Sequence, residues 1–91
     1  MPFRLIFPAP YLRRERSFLR KHPDLRVRYY KTLLMLEQDP MHSSLRLHPL
    51  KGLLLGLHAV SISMRYRITL ELELHEREIV FVNIGAHDQV C

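Results

Sequence analysis

The chain is poor in the residues that staple small proteins together. Its 91 residues include one cysteine, Cys91, so no disulfide can form within the chain. Tryptophan is absent, and glycine occurs only three times. There are six histidines but no His-x-x-x-His or Cys-x-x-Cys pair, and His87 with Cys91, four residues apart, is a poor basis for a metal site. Neither a metal nor a cofactor is therefore expected. No apolar run approaches the roughly 20 residues needed to span a bilayer. The first eleven residues are broken by Pro2, Pro8 and Pro10 and lack the continuous apolar stretch of a secretion signal. The expected setting is the cytoplasm, with no membrane partner.

Acidic residues are also few. Nine carboxylates face fourteen cations, leaving a net charge of +5. Eleven of the cations are Arg. Its planar guanidinium pairs with phosphate through two hydrogen bonds, so a basic, Arg-dominated chain points to nucleic acid or an acidic protein as partner. Hydrophobic residues make up 47% and charged residues 25%, an ordinary globular balance that argues against disorder. The length suits one small domain over residues 1–91, with a modest core.

Periodicity divides the chain into a helical part and a strand part. Phe3 to Phe7 reads as a short strand stopped by prolines. From Tyr11 to about Lys21, Tyr11, Leu12, Glu15, Phe18 and Leu19 make a one-sided pattern that predicts a helix. Leu25, Tyr29, Leu33 and Leu36 predict a second helix from about Pro23 to Gln38, ended by Asp39-Pro40. Almost nothing separates the two, so a helical hairpin is expected. After residue 44 the period becomes two. Leu45 and Leu47 alternate with Arg46 and His48, and His58, Val60 and Ile62 alternate with smaller residues. Tyr66 to Leu74 alternates strictly, the mark of a strand with one buried face. Glu78 to Ile84 is apolar almost throughout, as in a central strand covered on both faces. The order β-α-α-β-β-β-β makes the fold class α+β. By alternation Arg65, Arg67, Thr69 and Glu71 share one face of their strand, and Arg46 and His48 take the polar face of theirs. Such a face is either an anion-binding surface or the solvated back of an ordinary sheet.

Five short motifs then occur in a fixed order: Arg20-Lys21-His22-Pro23-Asp24-Leu25, Asp39-Pro40, Leu45-Arg46-Leu47-His48-Pro49-Leu50-Lys51-Gly52 followed by Gly56, Ser63-Met64-Arg65-Tyr66-Arg67-Ile68, and Ile84-Gly85-Ala86-His87-Asp88-Gln89-Val90. In this order and spacing, from about residue 11 to the end, the chain resembles the RelE/ParE superfamily of bacterial toxins. The resemblance implies a RelE-like fold, a mainly antiparallel twisted sheet with the N-terminal helical hairpin packed on one face. It also implies a small antitoxin encoded by an adjacent gene, and messenger RNA on the bacterial ribosome as target. ParE-type members instead poison DNA gyrase.

Metal-independent RNA cleavage needs a base for the ribose 2′-hydroxyl, a cation for the phosphate in flight and an acid for the leaving 5′-oxygen, and it leaves a 2′,3′-cyclic phosphate. His48 stands where nuclease members place a Glu or His, and so resembles their general base. Arg67 resembles their transition-state Arg, and His87 their near-terminal catalytic His, the expected acid. Arg46, Lys51, Arg65 and Tyr66 are the expected substrate contacts. Three departures weaken the nuclease reading. Cys91 replaces the usual terminal aromatic, His58 stands where many members have Trp, and a further His and Asp that other nuclease members carry near Ser61 and Arg65 are absent. The alternatives are a gyrase inhibitor and a decayed toxin that only binds its antitoxin. Leu53-Leu54-Leu55, between two glycines, is either core or a patch that the antitoxin covers.

Overall fold

A computed structural model describes residues 2–86. The elements run β1 (Arg4–Ile6), α1 (Ala9–Lys21), α2 (Arg26–Gln38), β2 (His48–Pro49), β3 (His58–Ser61), β4 (Tyr66–Glu73) and β5 (Glu78–Ala86). The strands form one five-stranded sheet in the order β1-β5-β4-β3-β2. β1 is parallel to β5, and every other pairing is antiparallel. The α+β class and the β-α-α-β-β-β-β order read from the periodicity are those observed.

The helices begin and end where local chemistry allows. Pro10 sits in the first turn of α1, where a missing N–H costs nothing, so the helix starts at Ala9, two residues before the apolar pattern. Arg20 and Lys21 in its last turn complement the helix dipole. Pro23–Leu25 forms a separate 3-10 turn rather than the start of α2. Helix α2 stops at Asp39, which is extended ahead of Pro40. It runs back toward the start of the chain, where the Phe3 N–H donates to the Glu37 carbonyl at 2.8 Å.

Both helices pack on one sheet face. Tyr11, Phe18 and Leu19 of α1 and Tyr29, Leu33 and Leu36 of α2 close over Val60, Ile68, Ile84, Leu70 and Phe81. Val60, Ile68 and Ile84 lie in one cross-strand row. Each such aliphatic side chain, fully buried, contributes about 1.5–3 kcal/mol. Three polar groups are locked inside. The Tyr29 hydroxyl donates to Glu15 Oε2 at 2.6 Å and lies 2.8 Å from the Tyr11 hydroxyl, which donates to it in turn. Burial, first of all, pushes both phenols well above their ordinary titration range, so they remain neutral donors.

Two expectations from the alternation fail. The strand read at Leu45–His48 is mostly a 3-10 turn, Ser43–Leu45, followed by Arg46 in the left-handed region at φ 53°, and only His48–Pro49 pairs with β3. The His42 side chain causes this by accepting the Ser44 N–H at 3.1 Å, a local bond that competes with the sheet ladder. The alternation of β4 holds, with Ile68 and Leu70 in the core and Leu72 packed against it, and the irregularity opposite Thr69/Leu70 is a bulge in β5. Asn83 pairs with Thr69 and Phe81 with Leu70, so Val82 is the extra residue. Finally, β5 is central in the sheet but is not covered on both faces. Ile79, Phe81 and Ile84 are buried, whereas Val80 and Val82 are only half-buried. The described residues therefore cover the outer face of β5 only in part, although Ala59 and Thr69 on the same sheet face are buried. No described helix is long and apolar enough to cross a membrane.

Candidate functional site

The outer face carries the polar residues in cross-strand rows. His48, Ala59, Thr69 and Asn83 form one row through successive pairings. Arg67 lies in the next, between Ser61 and Gly85. Both of its cross-strand neighbours are small.

His48 and Arg67 meet across this face. Arg67 Nη1 is 3.2 Å from His48 Nε2, and His48 Nδ1 is 2.9 Å from the Arg46 carbonyl oxygen. The partners fix the proton. A carbonyl only accepts, so Nδ1 carries hydrogen and donates to it. A guanidinium only donates, so Nε2 presents its lone pair to Arg67. The imidazole is thus neutral, with a basic nitrogen aimed at the cationic side chain. Arg46 contributes through its backbone. Its left-handed conformation belongs to the turn that His42 caps, and its N–H donates to the Ser43 carbonyl at 3.2 Å. Its side chain lines a small hollow of about 180 Å³ with Arg28 and Ser61.

The other expected residues are placed apart from this pair. Lys51 is exposed in the loop after β2. Arg65 was expected on the Arg67 face, but β4 begins only at Tyr66, so Arg65 belongs to the preceding turn, where its N–H donates to Ser63 Oγ at 3.3 Å. Tyr66 projects to the helix side, with ring centroids 4.6 Å from His22 and 5.3 Å from Phe18. His87 and Cys91 lie outside the described residues. His58 pairs with Leu70 and Pro49, and its Nδ1 is buried without a hydrogen-bond partner among the described residues. Leu53 and Leu55 are exposed, at 105% and 80%, so they are surface and not core.

Arg65 and Tyr66 line a second feature, an open cleft of about 940 Å³ between the C-terminal half of α1 and the end of the sheet. Arg14, Ser17, Phe18 and Lys21 form its helical wall. Sequence reasoning placed no residue of α1 in a site. The spacing of Arg14, Ser17, Phe18 and Lys21, at i, i+3, i+4 and i+7, was the available signal, since it puts them on one helix face. Among the described residues, no three His, Cys, Asp or Glu side chains cluster as a metal site would require.

Comparisons with known proteins bear on the fold. No family model and no curated protein sequence matches the chain. Solved structures do. A copper-bound mutant toxin from Helicobacter pylori superposes with a TM-score of 0.77 at 16% identity, covering 98% of this chain and 99% of that one. A YoeB/ParE toxin from Agrobacterium tumefaciens gives 0.73 at 14% identity, over 93% and 99%. The DinJ–YafQ toxin–antitoxin complex from E. coli gives 0.69 at 17% identity, over 99% and 98%. The fold is that of the RelE/ParE-type toxins.

Proposed function

We propose that the chain is the toxin of a toxin–antitoxin pair and cleaves messenger RNA on the ribosome. The observation that carries this reading is the His48–Arg67 contact on the outer sheet face, with Nδ1 tied back to the Arg46 carbonyl. In the resting chain Arg67 occupies the His48 lone pair. A phosphate entering above Ser61 and Gly85 offers the guanidinium a stronger, charged acceptor. Nε2 is then released to take the ribose 2′-proton, and the 2′-oxygen attacks phosphorus. Arg67 balances the charge that grows on the non-bridging oxygens. His87, adjoining the last residue of β5, protonates the departing 5′-oxygen. The products are a 2′,3′-cyclic phosphate and a 5′-hydroxyl. Arg46, Lys51, Arg65 and Tyr66 hold the flanking RNA.

The antitoxin partner is supported by the same fold occurring in the DinJ–YafQ complex, by the +5 charge and by the exposed Leu53 and Leu55. A binding-only toxin is favoured by one observation, Cys91 in place of a terminal aromatic. Single-turnover cleavage of a defined message, measured beside ribosome affinity, separates the two. Alanine at His48, Arg67 or His87 should slow the chemical step by about 10²-fold or more with ribosome affinity little changed. Arg67→Lys should not restore the rate, because an ammonium lacks the planar fork. Parental rates in all three alanine variants would make the nuclease reading wrong and move the binding-only toxin ahead.

A further inference from the structure

The cleft beside α1 combines two properties that the His48–Arg67 face lacks. Its polar rim is cationic, with Arg14 and Lys21 from the helix and Arg65 from the turn before β4, and among the described residues no carboxylate lines it. Its floor is aromatic. The rings of His22 and Tyr66 lie 4.6 Å apart, half-buried, over the buried ring of Phe18, 4.7 Å and 5.3 Å from them. Arg14 is held in place by donating from Nη1 to the Val82 carbonyl at 2.8 Å, at the bulge of β5. Ring faces next to fixed cations are what a single nucleic-acid strand requires, with bases stacking on the rings and phosphates meeting the cations. A duplex hides its bases and does not use the floor. An acidic peptide uses the cations but gains little from the ring faces, which are tilted 51° to each other at His22 and Tyr66.

We propose that this cleft is a second site for single-stranded RNA, distinct from the His48–Arg67 face. Phosphates lie on Arg14, Lys21 and Arg65, and a base stacks on His22 and Tyr66. The location links the two surfaces. Tyr66 and Arg67 are consecutive on β4, and their side chains leave opposite faces at the sheet end where β5 finishes. A strand rounding that end touches both. The proposal extends the nuclease reading to flanking nucleotides, but it concerns binding alone and holds whether or not the chain cuts RNA.

The test is fluorescence anisotropy of the full chain with a labelled, fully 2′-O-methylated hexanucleotide, which has no 2′-hydroxyl and cannot be cleaved. Three phosphate contacts predict a slope of log affinity against log salt of about −2, at roughly 0.7 per contact. Lys21→Ala should flatten that slope by about 0.7. His22→Ala should weaken binding about tenfold and leave the slope unchanged, because stacking releases no counterions. In the parental chain the ring protons of His22 and Tyr66 should shift on titration with the oligonucleotide, a readout that needs no variant to fold. Unshifted ring signals would overturn the proposal. So would unchanged affinity in both variants, equal binding of a duplex of the same length, or a polyglutamate peptide binding as tightly and with the same dependence on His22. A parental chain that binds this oligonucleotide but cleaves no message on the ribosome would count against the nuclease assignment and leave the cleft as proposed.

Discussion

The carbonyl of Arg46 holds the candidate base, so replacing that residue should separate its backbone role from its side chain. A residue other than glycine in the left-handed region bears about 1–2 kcal/mol of strain. Arg46, at φ 53°, bears it with the help of the His42-capped turn. Arg46→Gly removes the strain and the cation but keeps the conformation, so the carbonyl should stay 2.9 Å from His48 Nδ1. Gly also loosens the unfolded chain by about 0.5–1 kcal/mol, so net stability should change by less than about 1 kcal/mol. Arg46→Val acts in the opposite sense. A β-branched residue is a genuine outlier at this φ, and the backbone should leave the left-handed region and carry the carbonyl away. The Nδ1–H···O=C bond contributes about 0.5–1.5 kcal/mol, so its loss should shift the imidazole tautomer ratio by about 2- to 13-fold toward Nε2–H. Nitrogen-15 shifts of the His48 ring read that ratio directly, without any assay of activity. Single-turnover cleavage should then remain near parental in Arg46→Gly, apart from weaker RNA affinity, and fall in Arg46→Val. An unchanged tautomer ratio in Arg46→Val would show that the carbonyl does not set the proton position.

Two further predictions concern the frame around the site. Tyr29→Phe removes a bond to the Glu15 carboxylate and strands the Tyr11 hydroxyl, whose residue is 1% exposed, so it should cost about 2–4 kcal/mol, against about 1 kcal/mol for Tyr11→Phe, in urea unfolding; equal costs for the two would refute the chain of donors. The Glu71 side chain, hydrogen-bonded to Glu73 and then by its charge, raises the Glu73 carboxyl above its ordinary value, with Glu78 and Glu76 adding repulsion. A raised folded-state value means stability that is present below the ordinary carboxylate range and lost as pH rises through the shifted one. Glu73→Gln should therefore melt higher than the parent at pH 7, with the difference vanishing at pH 3, and a melting point that falls at pH 7 would contradict this.

Most of the fold was legible because its elements follow strong local rules. The α1 and α2 stripes and the period-two run of β4 each reflect the burial of a single face, and the Asp39-Pro40 stop reflects the steric demand of proline on the residue before it. The misread segments are those where a local hydrogen bond or a change of register competes with one-sided burial. Leu45 is 2% exposed and alternates with polar neighbours, so it looks like a strand residue, yet it is buried from a 3-10 turn. Alternation cannot distinguish these, and only the His42 side chain decides between them. The uniform apolar run of β5 also misled. Its hydrophobic content reflects a central position in the sheet, not a second covering layer, and a bulge at Val82 interrupts its period.

The site divides along the same lines. His48 and Arg67 were legible as polar residues of strands, and their pairing follows from the register that puts Arg67 opposite Ser61 and His48 opposite Ala59. A diagonal contact across the intervening strand needs that register, which no single-strand pattern contains. Arg65 was assigned to one surface with Arg67, but β4 starts at Tyr66, and a strand start has no alternation to extend backwards. The consequence is chemical. A base stacked on Tyr66 and a phosphate held by Arg67 cannot belong to the same nucleotide, because a sheet lies between them. Any RNA that uses both residues must turn around the end of β5. On the proposed reading, the path of the RNA is therefore set by where that strand stops, at Ala86.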